Sequence, residues 1–544
     1  LSDIPVQGEP EDGPDGGGPD TSGAKERRQP PAAAWPPPPP GSVPRPPTPP
    51  APGWFDKVKG AAPAAVGTVT LWAALAAGLV ACLVLADGLG INLLLAAVPA
   101  AVAAWGAARR AEREVRPWTV VWAVAGLALL TVPALRDAGW PVFLAVAGAF
   151  ALGALALNGG RSWTAVLLAP LGLCAAAVNG VAWGFRGVKA RAAGTSGRLG
   201  PVLRGTGVAV VLLVVFGALF AGADAAFADL LGNLVPDLEG PADGPLRLVT
   251  FALGLVGALA AARTAAAPIP WDRTRIPEGR PRGRTEWALP LVVLTALFAA
   301  FNAVQLAVLF GGYDAVLEKT GLTYSEYARQ GFWQLLVVTL LFLVVVVVAA
   351  RTAPRSGPRD RVLVRSVLGV LCVLALVVVA SAVRRMDMYV DAYGLTRLRI
   401  SVFAMEFWLG LVIVLVMAAG VWGARWLPRA VAASAAAGVL AFGLMSPDAM
   451  IAEHNVQRYT ADGKLDQTYL EGLSVDAVPA LDRLEEPLRS CLLAEFTDEL
   501  DDGTPWYATS WSEREARGIL AERPVELDSA ACRTGDRWED DYYE

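Results

Sequence analysis

Between two long apolar runs the chain reads Arg384-Arg385-Met-Asp387-Met-Tyr389-Val-Asp391-Ala-Tyr393-Gly-Leu-Thr-Arg397-Leu-Arg399, and Glu406 follows well inside the second run. Asp224 closes another apolar stretch, Val208 to Ala223. Ionisable side chains at such depth are costly and mark a cavity, a bundle interior or a partner of opposite charge. Guanidinium groups at that level can receive an anionic head group or substrate, and a carboxylate can exchange a proton or cation. Asp224, Arg384, Arg385, Asp391, Arg397, Arg399 and Glu406 are therefore the candidate polar intramembrane site, placed near the outer leaflet. The competing reading is a set of interhelical salt bridges that only hold helices together. Asn302 and Gln305, one turn apart in another apolar run, read as interhelical hydrogen-bonding groups.

What the chain lacks bounds its chemistry. With one histidine, His454, it cannot by itself assemble a three-histidine zinc site, HExxH or a serine-histidine triad. His454 reads as an exposed helix residue. No GxxxxGK[ST] phosphate loop occurs. No catalytic residue, cofactor or metal ligand is assigned, and a non-enzymatic protein is expected. A lipid-linked glycosyl or phosphoryl transferase would need metal-binding carboxylates at the outer face. Asp224 and Asp229 have suitable chemistry, but no DxD pair supports them.

The elements that must position these groups are apolar runs close to 20 residues long. At 1.5 Å per residue such a run matches a hydrocarbon layer of roughly 30 Å, and a helix satisfies its own backbone there. Candidate spans are 64–85, 88–108, 118–135, 140–158, 162–185, 202–223, 246–266, 287–310, 331–350, 362–383, 400–420 and 430–446. The composition agrees: 54% of residues are hydrophobic and 18% charged, too apolar for a soluble multidomain enzyme. The expected fold class is all-α: a polytopic transmembrane bundle of about 11–13 helices with a small helical extramembrane C-terminal domain.

Arginine crowds the loops 186–204, 268–286, 351–361 and 421–429, each pair separated by two spans. By the positive-inside rule that face is cytoplasmic. Loop 109–116, with Arg109, Arg110, Arg113 and Arg116, has the same character, yet three apolar runs separate it from 186–204. Segment 162–185, interrupted by Pro170 and Asn179, is the candidate for a tilted or re-entrant element that would repair the count. These loop arginines serve topology, so no nucleic-acid partner is expected.

Residues 1–60 are rich in Pro, Gly and Asp, including the run Pro36 to Pro40, and read as a disordered tail. The first apolar run begins only after them, unlike a cleavable signal peptide. The bundle is expected over 61–446. Residues 447–544 read as an acidic helical tail, with 24 carboxylates against nine basic side chains over 448–544, on the extracytoplasmic side. Leu481, Leu484, Leu488, Leu492 and Leu493 give it a buried face. Cys491 and Cys532 could close a disulfide there, whereas Cys82, Cys174 and Cys372 lie in apolar runs.

Three blocks, Tyr313 to Leu336, Met386 to Trp408 and Asn455 to Leu481, resemble a bacterial multi-span membrane family catalogued only as a domain of unknown function, of the 4153/4173 type. The likeness covers roughly 64–485. It implies about a dozen membrane helices and no particular activity. The expected protein thus sits in the bacterial cell (plasma) membrane with the lipid bilayer as its main partner. Its expected role is transport- or flippase-like, with an unidentified substrate. The alternative is an envelope scaffold or sensing partner that binds proteins or cations through its acidic tail.

Overall fold

The structure, a computed structural model, describes residues 62–194, 216, 220, 243–274, 279–311, 332–354, 356–500 and 504–526. The tail 1–60, Asp224, Asp229, Cys532 and nearly all of the span expected at 202–223 lie outside them. Among the described residues every regular element is a helix. In chain order these are α1 Thr68–Val84, α2 Asn92–Arg110, α3 Pro117–Leu129, α4 Val132–Leu135, α5 Gly139–Asn158, α6 Trp163–Gly194, α7 Asp243–Ala266, α8 Arg284–Gly311, α9 Phe332–Thr352, α10 Pro358–Tyr393, α11 Arg397–Trp422 and α12 Leu427–Leu444. Five shorter helices follow: α13 Pro447–Asp462, α14 Gln467–Glu471, α15 Val478–Leu481, α16 Leu488–Leu500 and α17 Trp511–Glu522.

Ten of the described helices are long and apolar enough to cross a membrane, and α1 is apolar but shorter. The chain is a multi-pass membrane protein. Its packing is inverted relative to a soluble protein. Val178 and Trp422 are each 78% exposed and Phe143 70%, an outer surface suited to lipid. The interior is lined with small residues, among them Ala74, Ala81, Ala103, Ala258 and Ala262, which let helix backbones approach closely. The approach of α7 to α1 is the tightest example. A Cβ on Gly254 would lie 2.6 Å from the Ala77 carbonyl oxygen, so only glycine fits there.

Contacts sort the helix ends onto two faces. On the first, Arg113 donates to the Ala265 carbonyl at 2.7 Å and the Leu157 carbonyl at 3.4 Å. The Arg282 N–H donates to the Thr352 carbonyl at 3.1 Å, and the Arg284 guanidinium meets Asp360. This is the arginine face. On the second, Arg247 pairs with Asp87 at 2.9 Å and Arg136 donates to the Leu444 carbonyl at 3.0 Å. The helices after Ser446 also gather there.

Helix α6 has both ends on the arginine face. At its start Ser162 donates to Asp272 and Thr164 donates to the Trp271 and Thr274 carbonyls. Near its end Trp183 donates to the Ala64 carbonyl and Arg191 to the Val66 carbonyl. Gly67, next along, lies against Arg110. The 32 residues of α6 would reach about 48 Å, yet they leave the chain on the face where it started. Loop 109–116 and residues 186–191 near the end of α6 consequently share one face, separated by the two crossings α3–α4 and α5.

The last helices fold into a lobe. Ile451, Leu481, Leu492 and Leu493 are fully buried in one cluster with Met386 and Val390 of α10, Ile400 of α11 and Leu395 between the two helices. The lobe therefore shares a core with the ends of the bundle helices. Ser446 takes a left-handed conformation, φ 53°, before Pro447 opens α13, and Gly463, φ 73°, ends it.

Candidate functional site at the junction of lobe and bundle

Gly394, with φ +77°, stops α10, and the Thr396 hydroxyl caps α11 by accepting from the Arg399 N–H. The two-helix corner sets Arg397 in the first turn of α11, facing Asp448 in the first turn of α13. Arg397 grips that carboxylate with two parallel bonds, Nε to Oδ1 at 3.0 Å and Nη2 to Oδ2 at 2.5 Å. The Trp140 indole N–H (3.2 Å) and the Ser474 N–H (3.0 Å) supply two more donors. Asp448 is fully buried. Burial pushes its carboxyl up, but Arg397, the Ser474 N–H and Trp140 outweigh that and hold it below the ordinary value of 3.8.

A second buried carboxylate works at the start of α5. Asp476 Oδ2 accepts from the Asp137 N–H at 3.2 Å and the Ala138 N–H at 3.0 Å. Ala138 is the N-cap of α5 and Asp137 precedes it, at the end where the helix dipole favours negative charge. Asn455 adds a reciprocal pair with the Leu395 backbone, accepting at 3.2 Å and donating at 2.9 Å. Arg458 donates to the Ala392 carbonyl at 2.7 Å. The blocks Met386–Trp408 and Asn455–Leu481 are thus two sides of one interface.

Beside this clasp lies a cavity of about 480 Å³, half open, between bundle and lobe. Asp87, Arg136, Asp137 and Glu513 give it a charged rim, and Leu93, Val142, Phe143 and Val146 an apolar wall. The Tyr507 hydroxyl donates to Asp87 at 2.7 Å, which raises the phenol's pKa above its ordinary value of 10.0. Ser512 donates to the Leu135 carbonyl at 3.0 Å.

The residues expected to form the polar site fall in several places. Arg384 pairs with Asp387 at 2.8 Å on the surface of α10. Arg385 is half-buried one residue on, and Asp391 is exposed within electrostatic reach of His454. Arg399 donates to the Tyr393 and Gly394 carbonyls and lies 4.3 Å from the Tyr389 ring centroid. Arg397 belongs to the clasp. Glu406 is apart from all of them: it is 1% exposed, and neither carboxylate oxygen has a hydrogen-bond donor among the described residues. Asn302, 3% exposed, donates to the Leu374 carbonyl at 2.9 Å, an interhelical link. His454 is half-buried, not exposed, and burial lowers its pKa, partly opposed by Asp391.

A family model described as Domain of unknown function (DUF4153) matches residues 123–484, about two thirds of the chain. The chain belongs to this family. No curated protein and no solved structure matches it. The DUF4153 match runs from within α3 to just past α15, so Trp140, Arg397, Glu406, Asp448 and Asp476 all lie inside it. Asp87 and Glu513, which rim the cavity, lie outside. The clasp is a shared DUF4153 segment folded on itself, while part of the cavity wall comes from flanking sequence. Sequence reasoning found Arg397 but not Asp448, Asp476 or Trp140. The available signal was a carboxylate in the first turn after Ser446-Pro447, placed where a misplaced arginine needed a partner.

Proposed function

We propose that this protein is a transport- or flippase-like component of the bacterial cell membrane, with the arginine face cytoplasmic and the lobe extracytoplasmic. The observation that carries the proposal is Glu406, buried to 1% with neither oxygen met by a donor among the described residues. An ionised carboxylate left that way costs several kcal/mol, and ionisable groups inside a membrane commonly mark functional positions. Glu406 lies nine residues into the membrane from Arg397, about 14 Å along α11. The cavity under the lobe opens at the same end of the bundle. Its charged rim and apolar wall suit an amphiphilic or anionic substrate. In this reading Glu406 takes up and releases a proton or cation as the bundle opens toward that cavity.

Proteoliposomes with an entrapped pH dye test it under an imposed pH gradient. The wild type should dissipate the gradient, and Glu406→Gln should slow this about ten-fold or more, equivalent to at least about 1.4 kcal/mol. Equal rates remove Glu406 from the account. A second reading, an envelope scaffold or sensor, is favoured by the clasped lobe and its exposed carboxylates Asp462, Glu485, Glu495 and Glu515. A wild type that moves no protons in the same vesicles supports that alternative.

A further inference from the structure

The arginine face holds an enclosure that the lobe-side reading does not use. A cavity of about 160 Å³ is walled by Arg116, Trp118, Trp122, Arg161, Asp272 and Arg429. That is an order of magnitude above the roughly 10–15 Å³ a single water needs. Three guanidinium groups stand against one carboxylate. Asp272 Oδ1 is already committed, accepting from the Arg161 and Ser162 N–H groups and the Ser162 hydroxyl. Arg161 and Asp272 both lie within electrostatic reach of Arg429, whose guanidinium also lies 4.7 Å from the Trp118 ring centroid.

Positive-inside arginines alone would account for cations in these loops. They do not account for the enclosed donors. Trp122 is 1% exposed, and its indole N–H has no acceptor among the described residues; a Cβ built on Gly160 would lie 3.7 Å from that nitrogen, so it faces the 159–161 turn that lines the cavity. An indole N–H can only donate. Arg429 Nε is likewise buried without an acceptor. The first turns of α3 and α12, which carry Pro117–Thr119 and Arg429, have no side-chain cap hydrogen bond at Arg116 and Trp426, and a helix N-terminus favours negative charge.

We propose that this enclosure is a phosphate-binding site. Its guanidinium groups would take the phosphate oxygens, as arginine forks do, and the Trp122 N–H would give a short-range donor to the same group. The chemistry is that of a phosphate carrying at least one negative charge, from a lipid head group or from a soluble phosphate. Basic pockets between membrane helices on this face are suited to either. The site lies at the opposite end of the bundle from the lobe cavity and does not depend on Glu406.

Thermal unfolding of the full chain in detergent tests it with two probes. Inorganic phosphate is compared with chloride at equal ionic strength, and phosphatidic acid with diacylglycerol, which differs from it by the phosphate. Stabilisation by inorganic phosphate assigns a soluble ligand; stabilisation by phosphatidic acid alone assigns a head group. In either case Arg161→Gln/Arg429→Gln should weaken binding about ten-fold or more. Trp122→Phe, which removes only the N–H and part of the ring, should weaken it by a smaller factor. Arg161 is exposed, so Arg161→Gln alone decides if the double variant does not fold. No stabilisation by either probe, or stabilisation unchanged in Arg161→Gln and Trp122→Phe, overturns the site.

Discussion

At the scale of single residues, the clasp between Arg397 and Asp448 has a calculable pH signature. The folded carboxyl of Asp448 sits below its ordinary value of 3.8, so on acidification the unfolded chain binds the proton first. The stabilisation is complete only well above 3.8 and is lost as pH falls through that value and on through the lower folded one. The difference in unfolding temperature between wild type and Asp448→Asn should therefore shrink between about pH 6 and about pH 3. A constant difference would mean that the carboxylate is not the holding group. Arg397→Ala strands a buried carboxylate and should destabilise by about 3 kcal/mol, the low end of the range because the Arg397 side chain is 40% exposed. Arg397 was legible in the sequence because it stands with three other arginines between two long apolar runs. Its partner was not, because Asp448 lies 51 residues further on and looks like an ordinary first-turn acid. Glu406 was legible for the plainest reason, a charge in the middle of an apolar run.

Helices were the most legible elements, since a run near 20 apolar residues has few other structures open to it in lipid. The expected 140–158 and 400–420 became Gly139–Asn158 and Arg397–Trp422. What a hydropathy pattern cannot supply is the direction of a helix relative to the membrane plane. Pro170 and Asn179 marked α6 as unusual, but only its hydrogen bonds to Trp271, Ala64 and Val66 put both ends on one face. Single cysteines at Ser162 and Lys189, in a background lacking the native cysteines, should react with a membrane-impermeant maleimide from the same side of sealed vesicles. Labelling from opposite sides would make α6 an ordinary span. The lobe's buried face was readable from Leu481, Leu484, Leu492 and Leu493, whose spacing is helical. Its attachment was not, because Asp476 caps α5 from 338 residues away.

For the molecule as a whole, two different environments are set at the two ends of one bundle. The arginine face collects cations and an enclosure fit for phosphate, while the other end carries a lobe fastened by buried carboxylates over an amphiphilic cavity. Glu406 lies between them with no donor among the described residues, and the transport-like reading depends on that carboxyl being chemically available inside the bundle. Dicyclohexylcarbodiimide, a membrane-permeant reagent for carboxyl groups in apolar surroundings, measures this directly. Treated proteoliposomes should yield a peptide modified at Glu406 by mass spectrometry, with proton flux falling in proportion to the modified fraction. An unmodified Glu406, or full modification with flux intact, would contradict the account.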